Sequence, residues 1–143
     1  MAYLTGSYEH QIDAKNRIRI TNKLKLETDG LYLSKGTDGC LFVFSSEEMN
    51  EILAKFSAIK ITDKAKRQGQ RAFLDSIVQV EFDGQGRMTI PKPYKEFAKI
   101  DKDIVICGNF THVEVWAKEI HTRYHNGEDT TTEFDTVFNS LEI

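Results

Sequence analysis

The sequence of 143 residues contains an internal repeat, and this duplication limits the possible folds more than any other feature. Residues 12–21 align with residues 82–91, and residues 41–47 align with residues 113–119. Within each copy the order is strand, short turn, strand, polar segment, strand, turn, strand and helix. Because self-similarity at a fixed spacing indicates one structural unit used twice, the chain is predicted to contain two copies of a β-rich unit.

Hydrophobic periodicity places the strands of each copy. Apolar residues alternate with polar ones in residues 8–12 and 78–82, which is the period of a half-buried strand, and return strands begin at Ile18 and Met88. Each copy also holds a hairpin with a glycine-containing turn. The first hairpin pairs residues 31–34 with 40–44 around Gly36 to Gly39, and the second pairs residues 104–107 with 113–116 around Gly108 to Thr111.

Capping signals and apolar spacing predict the helices. Pro91 and Pro93 suit the first turn of a short helix. A capping box, Ser45 with Glu48, precedes apolar residues at helical spacing. A more basic helix is predicted from Asp63 to Leu74, although Gly69 weakens the signal. The last helix would be capped by Thr130 and Glu133 after a linker at Glu128 and Asp129, and would carry an apolar stripe of Phe134, Val137, Phe138 and Leu141.

One such copy is too small to bury a good core by itself. The strands of the two copies are therefore expected to pair across a pseudo-twofold axis within one domain, residues 1–143. The predicted fold class is mostly β with peripheral helices (α+β), a two-repeat, double-split or swapped-hairpin β-barrel. Its parts are repeat 1 at 6–57, a basic helical connector at 58–75, repeat 2 at 76–126 and a helical C-terminal tail at 127–143.

Composition indicates a soluble globular protein that is not secreted. Apolar residues make up 40% of the chain and charged residues 29%. The apolar runs are far shorter than the roughly 20 residues of a membrane span, and the N-terminus lacks the pattern of a signal peptide. Two cysteines, Cys40 and Cys107, do not make a disulfide framework, which agrees with a reducing cytoplasm, and both are expected to be small buried residues.

Charge is unevenly distributed along the chain, whose formal net charge is −3. Residues 1–25 contain five cationic and two acidic residues, and residues 60–71 contain five cationic and one acidic residue. From residue 117 onwards there are two cationic and six acidic residues. A basic N-terminal half with an acidic C-terminal tail is typical of a protein that binds an anion at one place. An ordinary mixed surface, with residues 60–71 as a solvated helix face, is the alternative.

The two copies agree best at an Asp-x-x-x-Arg turn between two strands. The residue before each arginine is of a type that tolerates positive φ, which predicts a type I turn followed by one left-handed residue. The aspartate can accept hydrogen bonds from the turn amides and hold the arginine in one direction. The first turn comprises Asp13, Asn16 and Arg17, and the second comprises Asp83, Gly86 and Arg87.

Arginines held in one direction suit phosphate contacts and the reading of guanine. In the first copy Lys15 and Arg19 extend the positive charge, and Arg19 lies on the same strand face as Arg17. The second copy contributes only Arg87 and is the weaker site. The alternative is that each Asp–Arg pair does no more than brace a hairpin. Spacing alone leaves both interpretations open.

With both copies in view, the chain resembles the MraZ family of bacterial transcription regulators, whose halves are swapped-hairpin barrel units like those of AbrB and MazE. The matching stretches are residues 6–17, 39–42, 82–87, 90–91 and 115–116. The resemblance implies that the Asp-x-x-x-Arg loops bind double-stranded DNA and that the protein forms rings. The implied DNA contacts are Lys15, Arg17, Arg19 and Arg87, and the loop supports are Asp13, Asn16, Asp83 and Gly86.

The sequence departs from the family pattern at two positions. Glycine is usual where Asn16 stands, and proline is common where Thr21 stands. Asn16 still permits the turn, because asparagine tolerates positive φ better than other non-glycine residues. Thr21 loosens the start of the next segment.

The resemblance predicts a cytoplasmic, nucleoid-associated regulator of its own division and cell-wall operon. Neighbouring subunits of a head-to-tail ring present their loops in the same sense, which favours short direct repeats in the promoter DNA. An antitoxin-like or scaffolding module of the same fold is the alternative, and an enzyme is disfavoured because no histidine is duplicated beside the aspartates. No cofactor, metal, membrane or small-molecule substrate is expected; His121 and His125 could share a helix face but have no third ligand at a useful spacing.

Overall fold

A computed structural model of the protein describes residues 3–24, 26, 30–125 and 129–142. The elements of the first copy are β1 (Ser7–Gln11), β2 (Arg17–Arg19), β3 (Leu31–Lys35), β4 (Leu41–Ser45) and α1 (Ser46–Ser57). A helix, α2 (Lys64–Ser76), leads to the second copy. That copy comprises β5 (Val78–Val80), β6 (Arg87–Thr89), α3 (Lys92–Phe97), β7 (Asp103–Asn109), β8 (His112–Ala117) and α4 (Lys118–His125), followed by α5 (Asp129–Ser140).

The strands form two antiparallel sheets. A six-stranded sheet has the order β1-β7-β8-β4-β3-β5, and β2 pairs with β6 in a separate two-stranded ribbon. The counterparts in the two copies are β1 and β5, β3 and β7, and β4 and β8. Exchanging them gives the same six-stranded order read from the opposite edge of the sheet. The pseudo-twofold axis therefore passes between β4 and β8 and between β2 and β6. These two pairs, together with β1–β7 and β3–β5, join one copy to the other.

The mixed α+β class with a mainly antiparallel sheet is confirmed. Among the residues that the structure describes, the six-stranded sheet and the ribbon share no strand pair. The β-barrel and the swapped hairpin therefore stay predictions, as do the boundaries of the two repeats.

The main core lies between one face of the six-stranded sheet and the ribbon. Alternate residues of the hairpin strands point into it, among them Leu33, Val43 and Val115, which are fully buried. Ile18 of β2 and Met88 of β6 close the core from the ribbon side. Burying a side chain of this size stabilises a fold by about 1.5–3 kcal/mol, so these two residues anchor the ribbon.

The helices α1 and α2 begin where the sequence predicts. Ser45 Oγ accepts a hydrogen bond from Glu48 N at 3.1 Å, and Asp63 Oδ1 accepts one from Lys66 N at 3.0 Å. These caps satisfy amides that a helix start leaves without partners. Helix α2 continues to Ser76, two residues beyond the predicted end, and it passes through Gly69 without a break.

The second hairpin turns later than predicted. Strand β7 continues through Gly108 and Asn109, which the sequence places in the turn, so only Phe110 and Thr111 connect it to β8. Gly108 N donates to Gly6 O at 2.9 Å, which extends the pairing with the first strand. A Cβ at Gly108 would lie 2.5 Å from Thr5 N, so glycine is needed here for close backbone approach and not for turning.

A second, smaller cluster covers the outer face of the six-stranded sheet. It contains both cysteines, which are buried as predicted, together with Val105 and Trp116. Trp116 also packs against Tyr124 of α4, with ring centroids 5.5 Å apart.

The C-terminal helix is present, and its predicted apolar stripe is exposed. The helix already includes Asp129, so the assignment of Asp129 to the linker was wrong. The predicted linker residue Glu128, the start of the tail at residue 127 and the side chain of the predicted cap Thr130 lie outside the described residues. No helix in the described ranges has the length and apolar character needed to cross a membrane.

Candidate nucleic-acid interface

The first Asp-x-x-x-Arg loop is closed by the carboxylate of Asp13. Asp13 Oδ1 accepts hydrogen bonds from the backbone amides of Lys15 at 2.9 Å and Arg17 at 2.8 Å. Asp13 Oδ2 accepts from Arg17 Nε at 2.7 Å. Asn16 stands at φ 60° and donates its amide to Asp13 O at 3.0 Å, which gives the predicted left-handed residue. The aspartate thus fixes both the turn and the arginine.

The second loop repeats this geometry within 0.2 Å. Asp83 Oδ1 accepts from the amides of Gln85 and Arg87, each at 2.9 Å, and Asp83 Oδ2 accepts from Arg87 Nε at 2.9 Å. Gly86 occupies the left-handed position at φ 76°. The two loops differ at all three residues between the aspartate and the arginine. They nevertheless adopt the same conformation, because the aspartate and the arginine make the contacts that fix it.

Both aspartates are held in their charged form. The hydrogen bond from the Arg17 amide is the main cause that lowers the pKa of Asp13 below its ordinary value of 3.8. The Arg87 amide does the same to the pKa of Asp83. The arginine side chains add to this effect in both loops. The carboxylates are consequently ionised at neutral pH.

The ribbon brings the arginines of the two copies onto one face. The paired residues are Arg17 with Thr89, Ile18 with Met88 and Arg19 with Arg87. Since neighbouring residues of a strand point to opposite faces, the buried central pair leaves the other four side chains on the outer face. This outer face, hereafter the cationic face, carries Arg17, Arg19, Arg87 and Thr89.

The arginines of the cationic face keep hydrogen-bonding capacity for a partner. Arg17 and Arg87 use Nε for their aspartates and retain exposed fractions of 26% and 25%. Within the described residues, no protein group bonds to their terminal nitrogens or to the guanidinium of Arg19. A guanidinium fixed through Nε presents its remaining donors as a fork that matches phosphate oxygens or the edge of guanine.

The two Asp-x-x-x-Arg loops lie at opposite ends of a short ribbon. Its two loops precede antiparallel strands of three residues each, so they lie at opposite ends of the ribbon. A rise of about 3.3 Å per residue separates these ends by roughly 10 Å. The major groove of DNA is about 12 Å wide and admits a two-stranded ribbon.

Lys95 is a part of this site that the sequence analysis missed. Its Nζ donates to Asn16 Oδ1 at 3.0 Å and links helix α3 to the first loop. The repeat offset of 70 residues relates Lys95 to Lys25, which lies outside the described residues. A cation at the same place in both copies was the signal that could have found it. Lys15, which the sequence analysis did include, is exposed at the tip of the first loop.

The other candidate sites lie elsewhere. His121 and His125 stack on α4 with ring centroids 3.9 Å apart. No group of three or more metal-binding side chains occurs in the ranges that the structure describes. The basic segment 60–71 includes the first eight residues of helix α2. Phe73 of this helix packs against Phe44 of β4, which is adjacent in sequence to the core residue Val43. Phe44 and Val43 are adjacent in β4, so their side chains point to opposite faces of the sheet. Since α2 packs on the face of Phe44 and the ribbon on the face of Val43, α2 and the ribbon lie on opposite sides of the sheet.

Comparison with known proteins identifies the family. The family model described as "MraZ protein, putative antitoxin-like" matches the chain twice in tandem, at residues 3–72 and 73–139. The chain belongs to the MraZ family. The two tandem matches also confirm the internal repeat.

Curated members of the MraZ family match over nearly the whole chain. A protein named "Transcriptional regulator MraZ" from Thermoanaerobacter pseudethanolicus is 45% identical over 131 residues, which covers 91% of this chain and 92% of that relative. Proteins of the same name from Acetivibrio thermocellus and Clostridium beijerinckii are 39% and 38% identical. The alignments cover 90% of this chain and of the Acetivibrio protein, and 92% of this chain and of the Clostridium protein.

Proposed function

We propose that this MraZ-family protein is a DNA-binding transcription regulator that contacts double-stranded DNA through its cationic face. The observation that carries the proposal is the pairing of β2 with β6, which puts three arginines on one side of a ribbon. Two of them are fixed by aspartates. The names of the curated relatives, transcriptional regulators, support the same role.

Within this site we assign the contacts residue by residue. Arg17, Arg19 and Arg87 contact phosphates or base edges from the cationic face, and Lys15 adds a phosphate contact from the loop tip. Asp13, Asn16, Asp83 and Gly86 hold the loops and do not touch DNA. No step of this function needs an enzyme active site or a cofactor.

One ribbon binds DNA weakly by itself. Each phosphate that is neutralised contributes about −0.9 to the slope of log affinity against log salt, so the four cations give a slope of at most about −3.6. A rise from about 50 to 200 mM salt then weakens binding roughly 150-fold. Several linked ribbons can recover about 10²–10⁴ in avidity if the DNA reaches them together.

We therefore propose that the protein works as a homo-oligomeric ring. Loops of neighbouring subunits in a head-to-tail ring face the same way, so the DNA would carry short direct repeats in the promoter of its own division and cell-wall operon. The exchange of strands between the copies supports a swapped-hairpin barrel as the unit of this ring. Its place would be the cytoplasm, on the nucleoid.

A footprint upstream of its own gene tests this function. We expect protection of regularly spaced direct repeats by the wild type, and loss of that protection when Arg19 and Arg87 are both changed to alanine. An exposed cation away from the ribbon, Lys60, gives the matched control, since Lys60→Ala should leave the footprint unchanged. Protection of a single inverted repeat would contradict the ring.

A protein-interaction module of the same fold is the second candidate. It is favoured by the words "antitoxin-like" in the description of the family model and by the exposed stripe on α5. In that case the Arg17 loop would be dispensable for function and the stripe essential. Retention of the protein on a DNA column despite its sequence pI near 5.8, and its loss from the column in Arg17→Ala, would favour the regulator instead.

A further inference from the structure

Helix α5 carries an apolar stripe that nothing in the described residues covers. Phe134, Val137, Phe138 and Leu141 remain 61%, 50%, 46% and 62% exposed. They occupy positions i, i+3, i+4 and i+7, which is the pattern by which a helix docks into a groove. The rings of Phe134 and Phe138 stack at 4.9 Å and form one continuous surface. An apolar surface of this kind marks an interaction site.

The stripe has an acidic rim. Glu133 and Asp135 flank Phe134 in the sequence, and at 100° per residue they project to either side of it around the helix. Residues 129–140 contain three acids and no lysine or arginine. The partner of α5 should therefore offer an apolar floor with cations at its edge.

A groove between α1 and α2 has these properties. It has a volume of about 380 Å³, with Phe56, Ile59 and Leu74 among its apolar lining and Arg67 and Arg71 beside them. Leu74 is 40% exposed. Nearby Ile61, which also lines the groove, is 80% exposed.

The charges of the two surfaces are opposite. Helix α2 contains four cations and one acid, whereas α5 has only acids among its charged residues. Charge complementarity of this kind selects a partner and fixes how it is oriented. Within one chain the stripe and the groove are both open, so α5 does not fill the groove of its own chain.

We infer that α5 of one chain docks into the α1–α2 groove of a second copy, with its apolar stripe on the groove floor and its acids beside Arg67 and Arg71. Each chain would give one helix and receive one. Such a contact is heterologous and generates a ring or an open filament, in contrast to a twofold pair. The groove and the cationic face lie on opposite sides of the six-stranded sheet, so the contact leaves the ribbon free.

Cysteine cross-linking without DNA tests this contact. Two differently tagged chains, one with Val137→Cys and one with Leu74→Cys, are co-expressed and mildly oxidised. The native thiols of Cys40 and Cys107 stay silent, because both are buried and burial raises their pKa. We expect a disulfide-linked dimer that contains one chain of each tag. Asn139→Cys is the matched control, since Asn139 is exposed on α5 but lies off the stripe.

The mixed dimer should form several-fold more with Val137→Cys than with Asn139→Cys. Equal yields, or a chain carrying both changes that cross-links only within itself, would overturn the inference. Light scattering gives an independent readout: Phe138→Asp should reduce the number of subunits, whereas Asn139→Asp should not. A wild type with the mass of one 16.4-kDa chain would also overturn it, while leaving DNA binding to be judged by the footprint.

Discussion

Arg19 of β2 and Arg87 of β6 lie directly opposite each other in the ribbon. Like charges at such a position destabilise a sheet, typically by about 0.2–1 kcal/mol. The pseudo-symmetric position pairs Arg17 with Thr89 and lacks this repulsion. Two opposed cations on an exposed ribbon also attract an anionic partner, and this supports the proposed contact with DNA.

Arg19→Thr should separate stability from DNA binding. The change makes the two pairs of the ribbon alike and removes the repulsion, so we expect the free energy of unfolding to stay level or rise by up to about 1 kcal/mol. Because one phosphate contact is lost, the salt slope of DNA binding should become shallower by about 1. Urea unfolding and DNA titration across a salt series measure the two effects. A loss of stability with unchanged DNA binding would contradict this assignment.

Thr89→Arg is the reverse experiment at the other pair. It places a fourth arginine on the cationic face, opposite Arg17. We expect tighter binding to any DNA, a salt slope steeper by about 1 and a small loss of stability. If the added arginine leaves the salt slope of nonspecific DNA binding unchanged, the cationic face does not contact DNA.

The left-handed residue of the first loop predicts a contrast between two substitutions. Asn16→Val should lower the free energy of unfolding by about 1–2 kcal/mol, because a β-branched side chain is strained at positive φ. Asn16→Gly should change it little, since glycine adopts this conformation freely but loses the bond from Lys95. Urea midpoints of the two variants give the comparison; equal losses would mean that the turn does not depend on φ at this residue.

Two glycines should respond to alanine in opposite directions. Gly108→Ala would bring a Cβ to 2.5 Å from Thr5 N and 2.6 Å from Leu4 C, so a loss of about 1–3 kcal/mol or more is expected. Gly69→Ala on α2 meets nothing within 4 Å and should stabilise by about 0.5–1 kcal/mol. Thermal unfolding measures both. A neutral Gly108→Ala would show that the backbone of Leu4 and Thr5 does not approach β7 so closely.

Acid should weaken the loops through Asp13 and Asp83. Their pKa values are lowered in the folded protein, so the stability that they contribute is complete above the ordinary value of 3.8 and is lost as the pH falls through the lowered pKa. We expect the double variant Asp13→Asn, Asp83→Asn to be less stable at neutral pH and to lose less below about pH 4. Urea midpoints measured from pH 7 downwards test this. Asp75→Asn, on the exposed side of α2, is the control and should follow the wild type.

The local structure of this protein can be predicted from the sequence because its signals are local. The turn at Asp13 needs only the aspartate, a residue that tolerates positive φ and the arginine, and the cap of α1 needs only Ser45 and its neighbours. Strand periodicity likewise predicts which residues are buried. The repeat adds one long-range constraint, since a single copy cannot bury a good core.

The sequence predicts that strands of the two copies pair, but it does not reveal which strands pair or in what register. The register that places Arg19 opposite Arg87 depends on the packing of Ile18 and Met88 in the shared core, and no local pattern encodes it. The bond from Lys95 to Asn16 spans 79 residues and follows from the same packing. The predicted turn at Gly108 is wrong because glycine usually signals a turn, whereas here it makes room for the backbone of Leu4 and Thr5, just before β1.

Fluorescence anisotropy with the promoter DNA of its own gene tests the central claim most directly. Wild type and Arg17→Ala are compared on the promoter and on a scrambled duplex across a salt series, with Lys60→Ala as the control for loss of an exposed cation. We predict that the wild type prefers the promoter, that Arg17→Ala loses this preference with a salt slope shallower by about 1, and that the control keeps it. A folded Arg17→Ala protein with the wild-type preference and slope would contradict the account.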